Sequence, residues 1–125
     1  MITLKKMLIK CLAHFRTDTL LAPSEEIHPT EEGWTPDYVS VPNLENYSMV
    51  YVRVHVYGVY AVIPCPNTGD AYSQTITDAY NSGGNWTYGR MLLEVDFDNN
   101  QIGLSTVNGS MSEMGITHVW GTGKL

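Results

Sequence analysis

The groups of this chain with the chemistry to act on a substrate or hold a metal are four histidines, two cysteines and a surplus of carboxylates. His14, His28, His55 and His118 stand far apart, and no pair shares a helical face or the short spacing of metal ligands. His55 and His118 fall in segments that read as strands. They are weighed as a shared site across a sheet, or as one half of a small hydrolase with a nearby carboxylate. Isolated polar positions on strand faces are the commoner explanation. No serine has the G-x-S-x-G context of a nucleophile elbow, and neither Cys11 nor Cys65 is placed like an activated thiolate. Gly83-Gly84 is not followed by the Lys-Ser/Thr of a phosphate loop. Asp96-Phe97-Asp98-Asn99-Asn100 looks like the start of a calcium loop, but Gln101 stands where glycine is required and Val107 where the bidentate glutamate belongs. A turn explains the same residues. The expectation is a non-enzyme with no catalytic residues, no metal and no cofactor.

Aromatic and polar surface is left to carry function. Tyr51, Arg53, His55 and Tyr57 alternate with Val50, Val52, Val54 and Val56, so one face of a strand is all valine and the other is rich in rings and charge. The stretch through Tyr72, Tyr80, Trp86 and Tyr88 mixes tyrosine with Asn, Ser and Gly, a composition suited to recognition because rigid rings supply area and small polar groups adapt. Tyr51, Arg53, Tyr57, Tyr72, Tyr80 and Trp86 are therefore the candidate ligand-binding residues, with sugar rings stacking on aromatic faces as one use. Covering core edges and subunit contacts is the bland alternative, and it carries the greater weight.

These residues need elements to position them, and the charge pattern divides the chain. Residues 1–16 carry a formal +4 and the remainder −10, which gives the net −6. Leu4, Leu8, Cys11 and Phe15 recur at the helical period, widened by Met7 and Leu12, with Lys5, Lys6, Lys10 and Arg16 mostly off the stripe. Residues 1–21 thus read as a basic amphipathic helix for anchoring or oligomerisation. About two heptads are marginal alone in water, so the segment must dock. A second copy or another protein is preferred as its partner, ahead of its own β domain and of a membrane surface. Residues 22–44 hold Pro23, Pro29, Pro36 and Pro42 among Glu25, Glu26, Glu31, Glu32 and Asp37. They read as an extended arm, lying along a surface because Trp34 and Tyr38 are too apolar for a free linker, with Val39 and Val41 able to add an edge strand.

Residues 45–125 read as a β domain. The valine-rich strand from Met49 breaks at Gly58, as a bulge or bend, and resumes over Val59 to Ile63 before Pro64-Cys65-Pro66. Cys65 is expected as a buried or half-buried thiol at a strand end. Leu93, Val95 and Phe97, then Ile102 and Leu104, predict a hairpin with a two-residue Asn99-Asn100 turn, pairing Phe97 with Ile102 and Val95 with Leu104. Tyr72, Ile76, Ala79 and Tyr80 fall at helical spacing between Asp70 and Gly83, so a short helix is expected there, with an ordered loop as the alternative. Asn108-Gly109 marks a turn, and Ile116 to Trp120 the last strand. The fold class is mainly β, an antiparallel sheet or sandwich-like domain behind an N-terminal helix and a Pro-rich arm.

A chain of 125 residues has room for one core. Its acidity, with only Arg53, Arg90 and Lys124 basic in the body, argues against nucleic acid as a partner. No run is long and apolar enough for a membrane span, and lysines interrupt any signal-peptide core. Three N-x-S/T sequons, at Asn46, Asn85 and Asn108, mean little without a secretory signal. So small a β domain has edges to protect, which favours a homo-oligomer, with a trimer suiting the layout.

The run Arg90-Met91-Leu92-Leu93-Glu94-Val95-Asp96-Phe97, the Asn-Asn hairpin, Val107-Asn108-Gly109-Ser110 and Ile116-Thr117-His118-Val119-Trp120-Gly121 resemble small β-structured virion proteins of tailed bacteriophages, of the head-fibre, decoration and tail-fibre-tip kinds. The resemblance covers about the last forty residues and transfers no functional residue. It implies a non-enzymatic, usually trimeric protein of the virion, attached to a capsid or tail protein through its N-terminal segment and exposing β structure outward. Without that resemblance the expected location is cytoplasmic. A carbohydrate- or receptor-binding module is the second expectation.

Overall fold

The structure is a computed structural model that describes residues 3–6 and 16–125, the side chains of Tyr80 and Ser82 excepted. Eight strands follow one another: β1 (Asp18–Leu21), β2 (Asp37–Ser40), β3 (Tyr47–Val56), β4 (Val59–Pro66), β5 (Tyr72–Ser82), β6 (Asn85–Asp96), β7 (Gln101–Asn108) and β8 (Met114–Lys124). Short 3-10 turns at Leu44–Asn46 and Met111–Glu113 lead into β3 and β8. The strands form two four-stranded sheets, in the orders β1-β8-β3-β4 and β2-β7-β6-β5, and every pairing is antiparallel.

The two sheets share one core. Val50, Val52, Val54 and Val56 enter it from β3, Met91, Leu93 and Val95 from β6, and Ile102 and Leu104 from β7. Strict alternation along β3 sends every second side chain inward, as a pleated strand with one wet face requires. Each such side chain contributes about 1.5–3 kcal/mol when buried. In β8, Ile116 and Val119 are both fully buried, although three positions apart. A register shift between Arg53 and Val54 of β3, which pair with His118 and Ile116, leaves Thr117 without a partner in the ladder. That bulge resets the alternation so both residues point inward.

Several expectations change in the structure. Residues 69–83 are not a helix: β5 runs from Tyr72 to Ser82 and turns at Gly83-Gly84 into β6. A spacing of four is one helical turn and also two strand repeats, so Tyr72 and Ile76 share a face either way. The hairpin of β6 and β7 forms, but Val95 pairs with Ile102 and Leu93 with Leu104. The loop between the strands is Phe97–Asn100, because Phe97 leaves the ladder and is 1% exposed in the core. The Asn99 amide donates to Asp96, and Asn100 takes the left-handed conformation with φ 50°. Gly58 belongs to a two-residue turn with Tyr57 joining β3 to β4.

Residues 22–44 run along the sandwich. Ile27 bridges Ile116, and Glu32 bridges Thr106 in parallel. β2 adds to the edge of β7 with Val39 opposite Ile102, and the Val41 N–H then donates to the Asn100 carbonyl. The expected helix over residues 1–21 does not reach its end, because Asp18–Leu21 forms β1 against β8. Of the expected anchor residues, Leu4 is described and exposed, whereas Leu8, Cys11 and Phe15 lie outside the described residues. Cys65 is fully buried in β4, and burial pushes its thiol up to about 12, so it is a packing residue and not a nucleophile. No described helix is long and apolar enough to cross a membrane.

Candidate functional site

The outer face of the first sheet gathers the rings and the cation that the valine strand turns away from the core. Register fixes the neighbours: Tyr51 lies between Pro64 and Trp120, Arg53 between Val62 and His118, and His55 between Tyr60 and Gly115. The His55 and Tyr60 rings stack with centroids 4.6 Å apart and planes 22° from parallel. His118 and Trp120 stack at 5.3 Å and 4°. The Arg53 guanidinium sits 4.3 Å from the centroid of the Tyr60 ring, in the range of a cation–π contact.

The bulge in β8 also positions this arginine. Arg53 Nη1 donates to Thr117 Oγ1 at 3.3 Å, and the same hydroxyl donates to the Arg53 carbonyl. Thr117 thus holds both ends of the residue. Among the described residues, no carboxylate lies within ion-pair distance of this guanidinium.

At the end of the face, Glu26 reaches in from the segment after β1. His55 Nδ1 stands 3.0 Å from Oε1 and 3.3 Å from Oε2, where the hydrogen-bond geometry is met. His28 Nδ1 lies 3.7 Å from the same carboxylate and donates to the Met114 carbonyl at 2.8 Å. The Ile27 N–H and carbonyl pair with Ile116, which anchors the segment that carries Glu26.

Beyond His55 the sheets open into a cleft of about 850 Å³. His55, Tyr57, Gly58 and Val59 line one side, Asp78, Ala79 and Thr87 the other, with Ser110 and Glu113 at the rim. Ser110 Oγ shares a hydrogen bond with Ser112 Oγ at 3.0 Å. Among the described residues, no hydrogen bond joins a hydroxyl or thiol to a histidine, and no group of three His, Cys, Asp or Glu side chains is placed to hold a metal. His55 and His118 do not build a shared site, since one binds Glu26 and the other stacks on Trp120.

The six candidate ligand residues are divided by the fold. Tyr51 and Arg53 are on this face. Tyr57 is not, because β3 ends at Val56 and Tyr57 turns with φ 52°. Its side chain is buried and packs on Gly89, where a Cβ would meet the ring at 2.1 Å. Its hydroxyl accepts the Ser110 N–H. Tyr72 packs against the core, and its hydroxyl donates to Gln74. Trp86 is exposed on β6 of the second sheet, and Tyr80 pairs with Thr87 in the neighbouring ladder. Sequence reasoning missed Tyr60 and His118 as neighbours of Arg53, Trp120 as the neighbour of Tyr51, and Glu26 as the partner of His55. The signal for Tyr60 was present: a two-residue turn at Tyr57-Gly58 pairs Val56 with Val59 and hence His55 with Tyr60.

A second titrating cluster ties β1 to the sandwich. The Tyr47 hydroxyl donates to Asp18 at 2.6 Å, and Arg16 Nε stands 2.8 Å from the same carboxylate. The tyrosine hydrogen bond, helped by Arg16, holds Asp18 below the usual carboxylate range. Burial first, and then Asp18, raises Tyr47.

The molecule is thus an antiparallel β-sandwich with an aromatic and cationic outer face on one sheet. Comparison with protein-family models, curated proteins and solved structures finds no significant match.

Proposed function

We propose that this chain is a non-enzymatic structural or accessory protein of a bacteriophage particle, attached through its N-terminal segment and presenting an oligomeric, trimeric β domain. The observation that carries the oligomer is the far side of the second sheet. Among the described residues, β5 is an 11-residue edge strand hydrogen-bonded only to β6. Beside it Trp86 and Tyr88 are 61% and 55% exposed. A long open edge flanked by exposed rings invites pairing with another chain, and a closed ring of copies would satisfy it. The N-terminal segment, read as a basic amphipathic helix, supplies the attachment: its +4 would meet an acidic capsid or tail surface favourably. The segment runs directly into β1, which pairs with β8 at the edge of the first sheet, so it leaves the domain from that edge. The particle itself rests on the resemblance of the last forty or so residues to small phage virion proteins.

Light scattering behind size exclusion tests this on the full chain and on a version beginning at Asp18. The full chain is expected to have the mass of a trimer. If the shorter chain is a monomer, the N-terminal segment is the oligomerisation element. If it keeps the trimer, the β domain assembles itself and the segment is free to attach. A full chain that is a monomer overturns the reading.

A second reading, a carbohydrate- or receptor-binding module, is favoured by the outer face of the first sheet, where Tyr51, Arg53, Tyr60 and Trp120 converge. The two are compatible, because they use opposite sheets.

A further inference from the structure

We propose that the outer face of the β1-β8-β3-β4 sheet binds a carboxylated sugar, with Arg53, backed by the Tyr60 ring, pairing the carboxylate and the rings of Tyr51 and Trp120 taking the apolar faces of the glycan. This rests on the second reading above and gives it a ligand class.

The argument starts from charge. The chain is acidic, with a formal net charge of −6, yet among the described residues Arg53 has only neutral side-chain partners, the Thr117 hydroxyl and the Tyr60 ring. A half-buried guanidinium without a counter-ion is a standing electrostatic demand, since its desolvation is offset only by one hydrogen bond and one ring. Glu26, the carboxylate at the end of this face, faces His55 and His28. An anion is what would complete Arg53, and its planar fork matches a carboxylate with two parallel hydrogen bonds. Thr117 already holds one arm of the guanidinium and Tyr60 lies against it, so little freedom is lost on binding.

The rings then decide what kind of carboxylate. Tyr51, beside Trp120, stands one repeat along β3 from Arg53, roughly 7 Å away. Tyr60 lies on the other side of the same arginine, paired with His55. Tyr60 is already covered by His55 and Arg53, so the rings open to a ligand are Tyr51 and Trp120, on one side of the cation. A small organic acid would reach the arginine and leave those rings idle. A carboxylated oligosaccharide places its acid on the guanidinium and its neighbouring residues against the rings.

Isothermal titration with two probes, trigalacturonic acid and sialyllactose, tests this, using the methyl ester of the first and plain lactose as neutral controls. At least one acid is expected to bind, and removing its charge should weaken binding about tenfold or more. Arg53→Gln should abolish binding, and Arg53→Lys should restore only part of it, because a point charge lacks the fork. Trp120→Ala should weaken binding of acid and neutral control alike. Circular dichroism of each variant verifies the fold. Equal binding of acid and neutral control, or binding untouched by Arg53→Gln in a folded variant, overturns the proposal. So does the absence of binding by both acids. If Arg53→Gln instead changes the solution mass, the face is a contact between copies, and the proposal also fails. The trimer reading is separately scored by the mass of the unaltered chain, so the two fail independently.

Discussion

At Asp18 one side chain reinforces the ladder that joins β1 to β8. Its carboxylate accepts the Tyr47 hydroxyl and pairs with Arg16, and both contacts favour the charged form. The carboxyl is therefore held below its ordinary value in the folded chain. A group depressed on folding lends stability above its unfolded pKa, near 3.9, and that stability is lost as pH falls through the lower folded value. Tyr47 runs the other way. Its pKa is raised by burial and then by Asp18, so its contribution is full below about pH 10 and is lost as pH rises through the folded value. Urea midpoints measured against pH are expected to fall on both flanks. Asp18→Asn should flatten the acid flank while leaving the share of Asp96, whose carboxyl is lowered chiefly by the Asn99 amide. Tyr47→Phe should flatten the alkaline flank. An acid flank unchanged in Asp18→Asn would mean the contact is not formed in solution.

Among the elements, the loop Phe97–Asn100 does more than reverse the chain. The Asn100 carbonyl accepts the Val41 N–H, and its side-chain oxygen accepts the Glu45 N–H, so the loop gathers β2 and the turn before β3. Asn100 does this from φ 50°, which asparagine tolerates and a β-branched residue does not. Asn100→Val is expected to cost about 1–3 kcal/mol in chemical denaturation. Asn100→Gly should cost less, since it keeps the conformation and loses only the bond to Glu45. This loop also shows what the sequence can and cannot reveal. Its existence was legible in Leu93 to Leu104, but the register was not: a slip of two residues keeps every side chain on its face, and only the burial of Phe97 distinguishes the two. The valine strand was legible because a period of two along eight residues has no helical counterpart. The β5 pattern was ambiguous because Tyr72 and Ile76 satisfy both periods. Of the candidate face on the first sheet, Tyr51 and Arg53 were visible from alternation alone. Trp120 and His118 were not, since their places depend on a pairing distant in sequence and on the bulge at Thr117.

Across the whole molecule, the decisive fact is that neither sheet has a core of its own. Val52 from β3 and Leu93 from β6 belong to one buried cluster, and both have no exposed surface. A four-stranded sheet with one apolar face has no other way to hide it, so losing either sheet exposes the other. The sandwich should therefore unfold as one unit. Tryptophan fluorescence draws on Trp120 in the first sheet, Trp86 in the second and Trp34 in the segment before β2, while far-ultraviolet circular dichroism reads the strands of both sheets. The two denaturation curves are expected to coincide. Leu93→Ala should lower stability by about 2–5 kcal/mol and Val52→Ala by somewhat less, because each leaves a cavity in close-packed surroundings. Each should move the whole transition with its slope unchanged. A biphasic curve in Leu93→Ala, with one sheet melting first, would show that the sheets are separable. In that case β5 and β6, with their open edge, would be a detachable unit and not a fixed wall of the domain.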